Sequence, residues 1–239
     1  MDLTSLLKNG AENYNVKLSD YQVEQFMTYM KLLKEWNEKI NLTAITDEAE
    51  IIKKHFIDSI AIMKSDLINT GCTVIDVGTG AGFPGIPINI IDPSVKVVLL
   101  DSLNKRVNFL NEVIKELKLT NIEAVHGRAE EMSKNVKYRE KFDIATARAV
   151  ANMNVLSEYC MPYVKKGGHF IALKGPTGYE EVTHAKGAIS ILGGQVKNII
   201  ETNIIEEEYK HNIVIIKKIK ETSTKYPRRY AIIEKTPLK

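Results

Sequence analysis

The chain has 239 residues, 44% apolar and 26% charged, which gives a globular protein enough core for one sizeable α/β domain. No apolar run approaches the roughly 20 residues of a membrane span, the first ten residues lack a basic or long apolar leader, and the distant Cys72 and Cys160 read as reduced thiols, so a cytoplasmic monomer is expected. Net charge is only +3, but residues 217–239 hold eight basic and two acidic residues; this C-terminal arm suits either a polyanion partner or plain solubility.

Residues 19–40 place Val23, Phe26, Met27, Met30, Leu33, Trp36 and Ile40 at helical spacing, with Ser19 and Gln22 as a candidate capping box. Residues 48–63 form a second helix, with Ile51, Ile52, His55, Phe56, Ser59, Ile60 and Met63 near one face. Residues 1–66 therefore read as a helical cap, in which His55 and Trp36 are core residues. From residue 72 the texture changes. Apolar runs at 72–77, 96–100, 122–125, 142–147 and 169–173 alternate with helical stretches near 84–91, 104–118, 129–135, 152–163 and 178–192. The alternation predicts a parallel sheet with right-handed crossovers. Residues 195–204 and 211–219 are two more strands joined by a short polar stretch, EEEYK. They add a terminal antiparallel hairpin, giving a seven-stranded, mostly parallel sheet. The expected division is a cap over 1–66, a Rossmann-like domain over 67–220 and a basic tail over 221–239.

The stretch VIDVGTGAGFPGIP, residues 74–87, carries four glycines within eight residues. Gly80, Gly82 and Gly85 spell GxGxxG, the dinucleotide fingerprint, but that pattern starts two residues late for a turn that opens at Gly78. In the register beginning at Gly78, the third glycine is replaced by Phe83, and a bulky Phe83-Pro84 fits a phosphate cradle poorly. The other reading is a ligand without phosphate, S-adenosylmethionine, held by a loop of Gly78, Gly80 and Gly82. Asp76 would then serve its ammonium group, directly or through water. Asp101, at the end of the next strand, suits the ribose hydroxyls of either cofactor. The plain alternative is that Asp76 caps the turn and Asp101 caps the helix near Asn104. The residues favour the methyl donor, and a nucleotide-cofactor oxidoreductase stays open as the rival.

Six further stretches, KEWNEKINLTAIT (34–46), HFIDSI (55–60), DSLNKRVNFL (101–110), GRAEE (127–131), FDIATARAV (142–150) and ALKG (172–175), join the glycine loop. In number and order they closely resemble the bacterial small-subunit ribosomal RNA guanine-N7 methyltransferases, the glucose-inhibited division protein B family. The resemblance covers nearly the whole chain. It implies a class I methyltransferase fold, S-adenosylmethionine as cofactor, and methylation at N7 of guanine 527 in 16S rRNA, on the free RNA or a small ribosomal subunit. It also implies that Gly78, Phe83, Ala129 and Glu130 border the donor and that Arg148 belongs to the site.

The residues agree with that chemistry. No Asn/Asp-Pro-Pro follows the fourth strand, as exocyclic-amine methylation often requires. Cys160 reads as a buried thiol rather than a nucleophile. Guanine N7 exposes a lone pair and loses no proton, so positioning suffices. Arg148, at the end of that strand, is the candidate to orient the base through O6 or a phosphate; the alternative is a structural pair with a carboxylate such as Glu130. Lys174, Arg106, Arg128 and the tail residues Lys217, Lys218, Lys225, Arg228 and Arg229 are candidate RNA contacts. The five histidines are scattered without zinc spacing, so no metal is expected. A non-catalytic RNA-binding assembly factor is a third reading, disfavoured because it needs neither the acids nor the glycine turn.

Overall fold

The computed structural model describes residues 2–148, 151–203 and 210–239. Side-chain caps set where its N-terminal helices begin. Asp2 accepts from the Thr4 and Ser5 N–H groups and opens α1 (Leu3–Glu12), which lies within the expected helical cap but is not delimited by the periodicity. The expected Ser19–Gln22 capping box starts α2 (Asp20–Ile40), and Asn41, in the left-handed conformation, ends it. Asp47 caps α3 (Glu48–Ile51). This helix runs on through a π turn, Ile52–Ile57, into α4 (Asp58–Ile60) and a 3-10 turn, Ala61–Ser65. The second helix of the sequence reading is thus one continuous rod with a widened middle.

Strands and helices then alternate as the apolar runs require. They are β1 (Thr73–Val77), α5 (Gly85–Ile91), β2 (Lys96–Asp101), α6 (Asn104–Glu116), β3 (Ile122–His126), α7 (Ala129–Met132), β4 (Phe142–Arg148), α8 (Met153–Cys160), β5 (Val164–Lys174) and α9 (Gly178–Ile191). The hairpin strands are β6 (Gly194–Asn203) and β7 (Lys210–Lys218), and α10 (Tyr230–Lys235) follows. Most of the EEEYK connection falls outside the described residues. The sheet order is β3-β2-β1-β4-β5-β7-β6. The pairs among β1 to β5 are parallel, while β7 runs antiparallel to both β5 and β6. Because β2 and β4 flank β1 on opposite sides, the connections after β1 and β4 diverge. A crevice opens there beyond the carboxyl ends of the strands, where such sheets bind ligands.

Each face of the sheet carries its own apolar cluster. On one side Leu7, Phe26, Leu33 and Phe56 of the N-terminal helices pack with Ile86, Leu99 and Phe109. On the other Leu156, Cys160, Phe170, Val182, Ile216 and Ile233 pack together. Cys160 is fully buried and its thiol is pushed well above the usual range by that burial. The residues after β7 are held against the body. Arg139 donates to the carbonyls of Thr222 and Tyr226, and Arg228 forks onto both carboxylate oxygens of buried Glu158, Nε–Oε1 2.9 Å and Nη2–Oε2 2.7 Å. A tail expected to be a free basic arm is a strap.

Candidate active site

The loop between β1 and α5 turns at Gly78, Gly80 and Gly82, with φ of 69°, 62° and 99°, a region L-residues rarely adopt. Gly85 is different: it is the first residue of α5, and a Cβ there would lie 2.3 Å from Leu99 Cδ2 and 3.0 Å from Asp76 Oδ2. The apparent GxGxxG therefore mixes turn glycines with a packing glycine. Gly85→Ala should cost about 1–3 kcal/mol through overpacking, read as a lowered thermal midpoint; an unchanged midpoint contradicts the packing role.

Most N–H groups of this loop are committed within the protein. Those of Gly78 and Thr79 donate to the Leu100 carbonyl, and those of Gly82 and Phe83 to the Thr79 carbonyl. Gly80 donates to Asp101 Oδ2 and Gly85 to Asp76 Oδ2, both at 2.9 Å. A pyrophosphate needs bare N–H donors at such a turn. Here all but that of Ala81 are taken, two of them by carboxylates that repel phosphate.

The two acids hold the loop as well as lying beside it. Asp76 is fully buried, takes the Thr79 hydroxyl at 2.6 Å, and lines neither of the clefts described below. Burial raises its carboxyl to about 6 against the hydrogen bonds from Thr79 and Gly85. Asp101 also accepts from the Leu103 N–H at 2.9 Å, and Arg106 Nη1 lies 3.4 Å from its Oδ2. Asp76 thus ties the turn together, whereas at the start of α6 Asp101 meets only the Leu103 backbone N–H, and that helix has no side-chain cap. Direct exposure of Asp76 to a ligand's ammonium is not present in the structure.

Two clefts, of about 440 and 400 Å³, meet at Gly78. Ser102, Ala129, Glu130, Tyr159, Tyr230 and Glu234 line the first. His55, Asp58, Phe83, Arg148, Lys174 and His211 line the second. The clefts bring together the glycine loop, the Ala129–Glu130 pair and Arg148, as the sequence reading expects. They add Asp58, His211, Tyr159, Tyr230 and Glu234, which it missed. Of these only Asp58 had a local signal, three residues after His55 on the same helical rod.

Arg148 is paired, but not with Glu130. Its Nη1 lies 2.9 Å from Asp58 Oδ2 and 2.8 Å from the Lys54 carbonyl, and its Nη2 lies 3.1 Å from His55 Nδ1. The guanidinium sits 4.7 Å from the centroid of the Phe83 ring, on which His55 also stacks at 4.8 Å. Asp58 Oδ1 meets His211 Nδ1 at 2.9 Å. Burial opposes charge on Asp58, but His211 and Arg148 overcome it and hold the carboxyl below its ordinary value. His55 is thus a wall of the second cleft rather than a plain core residue, whereas Trp36 packs on Phe109 at 5.7 Å.

Burial, with Arg148 adding to it, pushes the His55 imidazole down to about 4. Between the ordinary pKa of 6.5 and about 4 the unfolded chain binds a proton that the folded chain refuses. Stability is therefore lost as pH falls through that window, by up to about 3 kcal/mol. Asp76, with a raised pKa, acts in the opposite sense: its contribution is full below about 4 and lost as pH rises to about 6. His55→Gln should accordingly gain stability relative to the parent as pH drops from 6.5 to 4. Chemical denaturation across that range checks it, and a pH-independent difference contradicts it.

The expected RNA cations divide into two groups. Arg128, Lys217, Lys225 and Arg229 are exposed. Arg106 is partly covered beside Asp101. Lys174 is buried, with Nζ 2.8 Å from both Glu181 Oε2 and the Ala151 carbonyl. Lys218 is fully buried among the Met161 carbonyl, Thr222 and Glu140. With Arg228 on Glu158, these three are engaged within the protein, although Lys174 still lines the second cleft.

The family model described as rRNA small subunit methyltransferase G (GidB) matches residues 22–213. Proteins named ribosomal RNA small subunit methyltransferase G from Clostridium botulinum (strain ATCC 19397 / Type A) and Clostridium beijerinckii are 53% and 55% identical over 239 residues, covering 100% of both chains in each case. A SAM-dependent methyltransferase from Aquifex aeolicus superposes with a TM-score of 0.55 at 21% identity, over 74% of this chain and 96% of its own. M. jannaschii TYW2 in complex with AdoMet gives 0.52 at 15% identity, over 66% of this chain and 74% of its own. These structural likenesses show the class I methyltransferase fold.

Proposed function

Because the chain belongs to the rRNA small subunit methyltransferase G family, we propose that it transfers a methyl group from S-adenosylmethionine to N7 of a guanine in 16S rRNA. By the family resemblance the target is guanine 527, in the free RNA or a small subunit under assembly, and the enzyme works in the cytoplasm. The observation that carries this reading is the junction of two clefts at Gly78, on a glycine loop most of whose N–H groups, those of Gly78, Thr79, Gly80, Gly82 and Phe83, are already spent. A phosphate-bearing cofactor finds no cradle there, whereas the cationic, phosphate-free donor suits a loop backed by Asp76 and Asp101.

The residues fit that donor. Ser102, Ala129 and Glu130 are those that would hold its nucleoside end, and Gly78 marks the passage to the second cleft. When bound, the donor supplies an electrophilic methyl group. The chain's own part is to orient the base and keep the site in shape. Arg148, fixed by Asp58 and backed by Phe83, presents a guanidinium to guanine O6 or a neighbouring phosphate. Since N7 loses no proton on attack, neutral His55 and buried Asp76 need not act as bases. Exposed Arg128, Lys217, Lys225 and Arg229 supply salt-sensitive phosphate contacts.

The test is transfer of tritiated methyl from S-adenosylmethionine to naked 16S rRNA and to small subunits stripped of the modification. Borohydride reduction and aniline cleavage then map the product. Label at N7 of one guanine is the expected result. Label at another atom, or none with either substrate, rejects the assignment.

A further inference from the structure

The first cleft has a wall that lies beyond the matched family region, which ends at residue 213. Tyr230 and Glu234 of α10 line it together with Gly78, Ala129 and Glu130. A helix of six residues has no stability of its own, so its place must be imposed from outside. Arg228 does so through Glu158 and by donating to the Thr236 carbonyl at 3.0 Å, and Ile233 is fully buried in the core. From inside the cleft, Tyr159 donates its hydroxyl to Glu234 Oε1 at 2.8 Å.

On this anchored helix Tyr230 is left 51% exposed. Its ring is met by the Arg128 guanidinium, 5.5 Å from the centroid, and Arg128 in turn lies 3.9 Å from Glu130. An isolated exposed tyrosine needs no explanation. A half-exposed ring carried on an anchored helix at the edge of a concave site, with a cation in place beside it, offers a ready surface for a flat heteroaromatic group.

We propose that Tyr230 is a donor-binding residue whose ring covers the adenosine portion of the methyl donor, so that the C-terminal helix completes the cofactor site. The inference rests on the reading that this cleft holds the donor. It gives the tail a part in cofactor recognition beside the phosphate contacts of Lys225 and Arg229.

Calorimetric titration of the full chain with S-adenosylhomocysteine, and separately with adenosine, tests it. Base–aromatic contacts of this kind predict that Tyr230→Ala raises Kd for both ligands by about tenfold, with stoichiometry unchanged. Tyr230→Phe keeps the ring and should stay within about twofold of the parent. Tyr230→Leu, which keeps bulk without a ring, separates stacking from packing. Leu behaving like Ala supports the proposal, and Leu behaving like Phe overturns it. Tyr230→Ala binding as tightly as the parent also overturns it. Failure of the parent chain itself to bind S-adenosylhomocysteine instead rejects the donor reading on which the proposal stands.

Discussion

Arg148→Ala should lower methyl transfer by about a hundredfold or more while changing S-adenosylhomocysteine affinity by no more than about threefold. The asymmetry follows from where the guanidinium sits. It is bound to Asp58, the Lys54 carbonyl and His55 and rests on Phe83. All of these belong to the second cleft, whereas the nucleoside end of the donor is assigned to the first. The variant will also be less stable, because buried Asp58 loses its guanidinium partner and, among the contacts described, keeps only the His211 side chain. Turnover and affinity must therefore be measured well below the lowered midpoint. Arg148→Lys separates the two effects: a lysine restores charge beside Asp58 but not the planar two-pronged donor, so stability should largely return and turnover should not. Parallel losses of affinity and turnover in Arg148→Ala would assign the residue to the donor instead of the base.

The second large effect is structural and lies in the tail. Arg228→Ala strands the Glu158 carboxylate, which is fully buried and held by the Arg228 fork. Removing one partner of such a pair costs about 3–5 kcal/mol, equivalent to a fall of roughly 10 °C in midpoint for a chain of this size. The Arg228 backbone N–H still reaches Glu158 Oε1 at 2.8 Å, so the carboxylate is not wholly abandoned. Pairing the change with Glu158→Gln should recover part of the loss, since a neutral amide tolerates burial better than an orphaned charge. If Arg228→Ala instead left the midpoint intact and weakened only RNA binding, the residue would be the RNA contact its sequence suggests.

That contrast shows what was legible before the structure. Local rules carried far: the Ser19–Gln22 box, the five apolar runs and the turn at Gly78 each depend on neighbours a few residues away, and each appears where expected. Gly78, Ala129 and Glu130 converge on one cleft because strand ends of a parallel sheet must converge. Long-range electrostatics was invisible. Arg228 and Glu158 are separated by 70 residues, and Asp58 and His211 by 153, so nothing in either neighbourhood announces the pairing. A run of lysines and arginines gives the sign of a segment but not which members are exposed. Lys174, Lys218 and Arg228 are paired inside the protein, while Arg128, Lys217, Lys225 and Arg229 reach solvent. The undelimited α1 and the missed α10 are short helices that depend on caps and tertiary anchors more than on periodicity.

The π turn at Ile52–Ile57 sets the rotational phase of everything after it. A turn of this kind holds one residue more than an α-helical turn, and one residue corresponds to a rotation of about 100° about the helix axis. His55 lies within it and Asp58 just past it, so the bearing of the carboxylate on Arg148 depends on that surplus residue. Deleting one position between 52 and 57 would let the rod relax into regular α-helix with its apolar residues hardly changed in composition. Asp58 would then swing away from Arg148. In this sense the second cleft is keyed by a count of residues as much as by their identities.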